Sequence, residues 1–290
     1  MQSLSASLLC ELRAELGEGA QLFPDGTVRF VDIPNGKVFR LEDNNPTLEQ
    51  KFEHEISKTL PWQKGQVILG RNFVHFFDQE RNERSSLQVS AESSNLRCSD
   101  GCVLPDGSLL VGIVDRDLAQ GAGSLLHISP DLKINEVLTG ATIPNGIAVM
   151  PGEKNVVWVD SPTQTLMMLP ISQAGEIGKP ESYFVIEESL GVPDGLSVDS
   201  EGGIWVAMWG GSKVIRVSPN REIDVQVEVG TKNITSCTFD SANNLLITSA
   251  TAALSEEELG VRGAGGIWIL DQAKHGFQGL KPWVFGVRHN

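Results

Sequence analysis

Five polar residues stand at nearly the same distance ahead of a recurring turn, and together they could hold a metal ion. Glu18 lies seven residues before Asp25, Asp100 six before Asp106, and Asn145 seven before Gly152. Asp194 lies seven before Glu201, and Ser236 seven before Asn243. In a ring of equivalent units, equal phase means equal height and radius, so these side chains are expected to converge on one axis. Carboxylates and an amide oxygen aimed at one point repel each other unless a cation lies between them. An all-oxygen set suits a hard divalent ion such as Ca²⁺ or Mg²⁺ and tolerates Mn²⁺ or Zn²⁺. Four of the five precede glycine, in Glu18-Gly19, Asp100-Gly101, Asn145-Gly146 and Asp194-Gly195, and glycine permits sharp turns and close backbone approach. Taken singly, an Asp-Gly or Asn-Gly pair is an ordinary surface turn. Agreement in phase is what singles out the set. Lys58 occupies the same phase in a weaker copy of the unit.

The elements that would position these residues are short strands. Apolar or alternating runs follow Pro/Asp/Gly punctuation in FPDGTVRFVDI, LPDGSLLVGIVD, MPGEKNVVWVDS, DSEGGIWVAMW and DSANNLLITSA, with a weaker copy in QKGQVILGRNFVHFF. The turns at Asp25, Gly65, Asp106, Gly152, Glu201 and Asn243 are 40, 41, 46, 49 and 42 residues apart. Each copy continues into a second strand, as in GKVFRLED, GSLLHISPD, QTLMMLPI, SKVIRVSPN and GGIWILD. Six such units predict an all-β chain, a six-bladed β-propeller with a central channel, made as one domain over residues 1–290. A closed ring needs a latch, and the N-terminal CELRAEL and C-terminal KPWVFGV runs are the available pieces. The best helical segment is residues 253–259, short, with Ser255 as its cap.

Composition bounds what such a ring could bind. The 290 residues are 40% hydrophobic and 21% charged, enough to bury a core. Lys and Arg number 23 against 37 Asp and Glu, a formal charge of −14. That balance repels a phosphate backbone or an anionic membrane surface, so neither nucleic acid nor membrane is an expected partner. No run approaches the roughly 18 apolar residues of a membrane helix, and the first residues lack a basic leader and an apolar core. Four cysteines are too sparse for a disulfide scaffold. A cytoplasmic protein with reduced thiols is expected. Cys98 and Cys102 are four apart but have no matching Cys/His pair for a metal clip.

ELGEGAQLF, NLRCSDGCVLPDG, IPNGIAV, VVWVDS, VPDGLSVDSEGGIWVAMWGG and ITSCTFD, in that order and spacing, resemble the SMP-30/gluconolactonase/regucalcin family over residues 16–268. The resemblance implies a six-bladed propeller that hydrolyses sugar lactones with one divalent cation in its channel. By motif it implies Glu18, Asn145 and Asp194 as metal ligands, with Asp194 also the general base. Arg97, Ser99 and Asp100 would face the substrate. Three positions depart from the family pattern: Ala20 replaces a usual Pro, Ser99 replaces a usual Asn, and the loop at 115–123 lacks a substrate-binding Glu that some relatives carry, with Ala119 near that spot.

A sugar lactone is a cyclic ester attacked by water at its carbonyl carbon. A divalent ion can act as Lewis acid on the carbonyl, and a carboxylate beside it can take the proton of the water. Arg97 could orient substrate hydroxyls or simply pair with one of the many carboxylates. Cys237 follows Thr235 and Ser236 at the right phase, yet no histidine stands in phase to complete a nucleophilic triad: His54, His75, His127, His275 and His289 all fall elsewhere. Trp205 reads as core and Trp209 as core or pocket roof. Two rival functions remain open: a phosphotriesterase-type hydrolase using the same cation and carboxylates, and a non-catalytic propeller that binds protein. The residues do not specify an oligomeric state.

Overall fold

A computed structural model describes residues 1–172 and 175–288. Six separate sheets form the blades of the expected propeller, each built on four antiparallel strands from axis to rim. The strands run in sequence order in the first five blades, and an N-terminal strand closes the sixth. Blade one runs through Gly17–Leu22, Val28–Asp32, Lys37–Glu42 and Asn45–Lys51. The innermost strands of the next five are Ile56–Trp62, Leu96–Val103, Pro144–Val149, Val192–Val198 and Ile234–Phe239.

Burial explains the strand pattern. Ile234–Phe239 and Ile204–Trp209 are buried almost end to end, because blades cover both of their faces. Outer strands such as Glu83–Gln88 are largely exposed and polar. The recurring Asp punctuation folds into tight turns between strands. Asp25 accepts from the Thr27 amide at 3.0 Å, Asp106 from the Ser108 amide at 3.1 Å, and Asp240 from the Ala242 amide at 2.8 Å. Apolar cores lie between blades, as where Trp205 and Val214 meet Cys237 and Phe239. Trp205 is fully buried, and its indole N–H donates to Asp199 at 2.8 Å. Ser255 caps the short helix Glu256–Leu259, as expected.

The latch differs from both expected segments. Ser7–Cys10 adds antiparallel to Ile267–Leu270 and completes blade six, while Gln2–Ser5 adds parallel to Ile223–Glu228 as a fifth strand of blade five. The residues after Cys10 in the CELRAEL run leave the sheet as a connection into blade one. The KPWVFGV run is a strap and not a blade strand. Gly279 bridges Asp199, Phe285 pairs with Trp62, and Gly286 donates to the Gly107 carbonyl at 2.9 Å. The strap therefore ties blades five, two and three, with Leu280–Trp283 lying against the end of the channel lined by Leu60, Val103, Val149, Val198 and Phe239. Cys98 and Cys102 pack in different cores, and all four cysteines are free thiols.

One local feature is common to all six innermost strands. The ladder to the second strand shifts register at Glu18/Gln21, Ile56/Lys58, Cys98/Gly101, Asn145/Ala148, Pro193/Leu196 and Ile234/Ser236. A bulge re-aims the side chains beside it, and each phase-matched residue sits in or beside one. The glycines serve the crowded axis. Gly146 has φ +46°, and a Cβ there would lie 2.6 Å from the Asp194 carbonyl oxygen. Gly19, at φ +62°, would meet the Ser57 carbonyl at 2.8 Å.

This crowding is testable against a glycine that lacks it. Gly140 also has positive φ, +83°, but nothing lies within 4 Å of its missing Cβ. Gly140→Ala should lose only the backbone penalty of about 1–2 kcal/mol, while Gly146→Ala should lose at least ~1 kcal/mol more. Equal shifts in urea unfolding midpoint at equal slope would show that strand approach at the axis is not limiting.

Candidate active site

The bulges bring Glu18 from blade one, Asn145 from blade four and Asp194 from blade five to one place in the channel. The Asn145 amide Nδ2 donates to Asp194 Oδ1, and Asn145 Oδ1 accepts the Gly146 amide at 3.0 Å. Glu18 Oε2 accepts the Gly19 amide at 2.6 Å, and the Glu18 and Asp194 carboxyls share a hydrogen bond. All three side chains remain partly accessible from the channel.

Their electrostatics follow from depth and like charge. Burial, then the charges of Asp194 and Asp100, raise the Glu18 carboxyl well above its ordinary range. Burial is also the largest influence on Asp194, which is pushed up to about 7 against the hydrogen bonds from Asn145 and Glu18. Without a cation, the pair therefore retains a proton near neutrality. Two converging carboxylates and an amide oxygen are a hard-donor set, so these residues fit a divalent ion. Among the described residues, no three His, Cys, Asp or Glu side chains gather around one point; the set is two carboxylates and an amide because Asp100 is turned aside.

Asp100 is buried with both oxygens engaged. Its Oδ1 accepts from Lys58 Nζ at 2.5 Å and the Gly101 amide at 2.8 Å, and Oδ2 accepts the Ile147 amide at 2.9 Å. It thus stands as a bonded wall residue in the channel, whose Oδ2 carries a single bond and keeps acceptor capacity. Ser99 likewise spends its proton within the protein, donating to the Pro144 carbonyl at 2.6 Å. Arg97 is anchored by Nη1 to Ser57 Oγ at 3.2 Å and to the Cys98 carbonyl at 2.8 Å. Burial lowers the Arg97 guanidinium from its ordinary value, opposed chiefly by the charge of Glu55. Ser236 is buried, its Cβ facing the position where Gly195 lacks one.

Two residues near Arg97 were not singled out by sequence. Arg116 donates to Glu55 Oε1 at 2.9 Å from the loop at 115–123, where some relatives would place an acidic residue. Neither shares the phase of the channel set, so no periodic signal marked them. Cys237 is a packing residue: burial raises its thiol, and Sγ meets the Trp205 carbonyl at 3.4 Å. His54 and His75 stack on each other, His127 bonds Ser108 at 2.8 Å, and His275 packs on Trp205. His289 lies outside the described residues.

The raised carboxyls carry a stability consequence. A carboxyl with a folded pKa above its unfolded value retains its proton longer in the native state. Its contribution is fully present below the unfolded value of 3.8 and is lost as pH rises through about 7. In chelator, stability should fall across this window with a component approaching about 1.4 kcal/mol per pH unit for one retained proton. Urea midpoints from pH 4.5 to 8 test this. The component should vanish in Glu18→Gln/Asp194→Asn, and an identical slope in that protein would contradict it.

The comparisons agree with this fold. The SMP-30/Gluconolactonase/LRE-like region matches residues 16–251. A regucalcin from Xenopus laevis is 26% identical, covering 90% of this chain and 91% of its own. An L-arabinolactonase from Azospirillum brasilense is 26% identical, covering 93% and 92%. The crystal structure of a calcium-binding protein, regucalcin, from Agrobacterium tumefaciens superposes with a TM-score of 0.91 at 24% identity, over 99% of this chain and all of that one; at that identity it speaks for the propeller alone. With its motifs, six bladed sheets and a family match over most of its length, this chain belongs to the SMP-30/gluconolactonase/LRE-like family.

Proposed function

We propose that this protein is a metal-dependent lactonase that opens a sugar lactone to the corresponding sugar acid. The observation that carries the reading is the meeting of Glu18, Asn145 and Asp194 from three blades at one partly open place in the channel. The family and its lactonase member support the substrate class.

Glu18, Asn145 and Asp194 would hold one divalent cation. When bound, that ion supplies Lewis-acid polarisation of the lactone carbonyl. Asp194 is the general base. It takes a proton from water as the water oxygen bonds to the carbonyl carbon. The ring C–O bond then breaks, and the proton passes to the leaving ring oxygen. General-base help of this kind contributes about 10²–10⁴-fold. Arg97, fixed at Nη1 by Ser57 and Cys98, would orient substrate hydroxyls with its other donors. Ser99, whose hydroxyl proton is committed to Pro144, can meet a hydroxyl only as acceptor.

The test is a lactone panel followed by a pH indicator, after chelation and with metal restored, subtracting spontaneous hydrolysis. Lactone turnover should disappear on chelation and return with the ion, and should exceed turnover of a phosphotriester under the same metal. Asp194→Asn should lose about 10²-fold or more in kcat at saturating metal with occupancy checked. Glu18→Gln should recover substantially as metal is raised. Equal recovery of both variants would make Asp194 a ligand only, and activity indifferent to chelation would refute metal dependence.

A further inference from the structure

Lys58 is the one buried ammonium against the channel among the described residues, and lactone hydrolysis as derived above does not use it. It comes from blade two, whose repeat is the weakest of the six, at the phase occupied by carboxylates or an amide in blades one, three, four and five. Its side chain is 7% exposed and meets Asp100, 8% exposed, at 2.5 Å. Gly19, next to Glu18, leaves room for it: a Cβ at Gly19 would lie 3.2 Å from Lys58 Cα and Cγ. The Lys58 stem therefore packs beside the strand that carries Glu18, while its ammonium meets the third channel carboxylate.

The charge count of this wall follows. Glu18, Asp100 and Asp194 supply three negative charges when ionised, and Lys58 supplies one positive charge. Arg97, the next cation, is drawn chiefly to Glu55 and less to Glu18. Its hydrogen bonds go to Ser57 and the Cys98 carbonyl, so it stands outside the charge count of the wall itself. The wall thus holds two net negative charges, which one divalent cation cancels. Lacking Lys58, it would hold three, and Asp100 would keep only the Gly101 and Ile147 amides, with no cation to balance its charge.

We propose that Lys58 is a specificity-determining residue that sets the channel to accept a divalent cation, by neutralising Asp100 and excluding it from the ligand set. The inference rests on the cation site proposed for Glu18, Asn145 and Asp194, but concerns the valence that site selects. Charge selection of this kind acts on ions of similar size through Coulomb energy alone, so it is separable from packing. A trivalent lanthanide gains more than Ca²⁺ from each added negative charge.

The experiment measures affinities of chelator-stripped, full-length protein for Ca²⁺ and Tb³⁺ by calorimetry, with Glu18→Gln as the control that both ions occupy this site. Lys58→Met should raise the Tb³⁺ over Ca²⁺ affinity ratio by about tenfold or more, since one unit charge a few ångströms away exceeds that at an effective dielectric of about 20. Lys58→Arg should keep the wild-type ratio. Asp100→Asn should move it in the opposite direction, and Lys58→Met/Asp100→Asn should return it toward wild type. If Lys58→Met does not fold, Asp100→Asn and the double variant decide. Ratios within twofold of wild type in the folded variants, with Ca²⁺ still bound, would overturn the inference and leave the cation site standing. Wild-type protein that binds neither ion, or binds both regardless of Glu18→Gln, would overturn the site and the inference together.

Discussion

Six strands cannot approach one axis closely unless their backbones are allowed to crowd. That constraint shapes the interior of this propeller. At Gly146 a side chain would run into the carbonyl of Asp194 on the next blade, at Gly195 into Thr235 and Ser236, and at Gly19 into Ser57. The same places break the inner ladder with a bulge in every blade. The two devices work together: glycine lets the neighbouring strand in, and the bulge turns the preceding or adjacent polar side chain toward the axis. The arrangement of polar residues in the channel is thus a by-product of how the ring is closed, with a bulge in all six blades and a glycine beside it in four.

Crowding also concentrates charge. Glu18 and Asp194 are carried into a space where burial disfavours their ionisation, and the charge of Asp100 adds to the cost of both. The protein answers this differently at different positions. Asp100 is balanced by Lys58 and two backbone amides. Glu18 has the Gly19 amide and a lesser attraction to Lys58. Asp194 has hydrogen bonds from Asn145, Glu18 and the Gly195 amide but no direct cation partner among the described residues. The unbalanced pair is where a cation has most to offer, and the balanced carboxylate is where it has least.

The ring is secured twice, at its rim and at one end. The N-terminal strands finish blades five and six, so opening the ring requires losing both sheet edges. The C-terminal strap joins blades five, two and three near the channel end remote from the carboxylate pair. The site is held by inner strands that are buried on both faces, and the closing pieces are spent where exposure would otherwise be greatest.

Period and phase were legible in the chain itself. Turn residues recurring every 40 to 49 positions specify six like units, because each Asp or Gly turn is a local event decided by a few residues. Phase then picked out Glu18, Asp100, Asn145, Asp194 and Ser236, since equivalent positions in a ring must share height and radius. The family resemblance narrowed the expected ligands to Glu18, Asn145 and Asp194. The tertiary structure decided what local pattern could not. Whether Asp100 joins the other carboxylates depends on Lys58, 42 positions away, and on the Ile147 amide of the next blade. Whether Ser99 can donate depends on the Pro144 carbonyl, 45 positions away. The pairing of Glu55 with Arg116 and the choice of Ser7–Cys10 as latch likewise join distant segments. Turn chemistry is short-ranged and so readable in order along the chain, whereas partner choice among buried charges and strand edges is settled only when the blades meet.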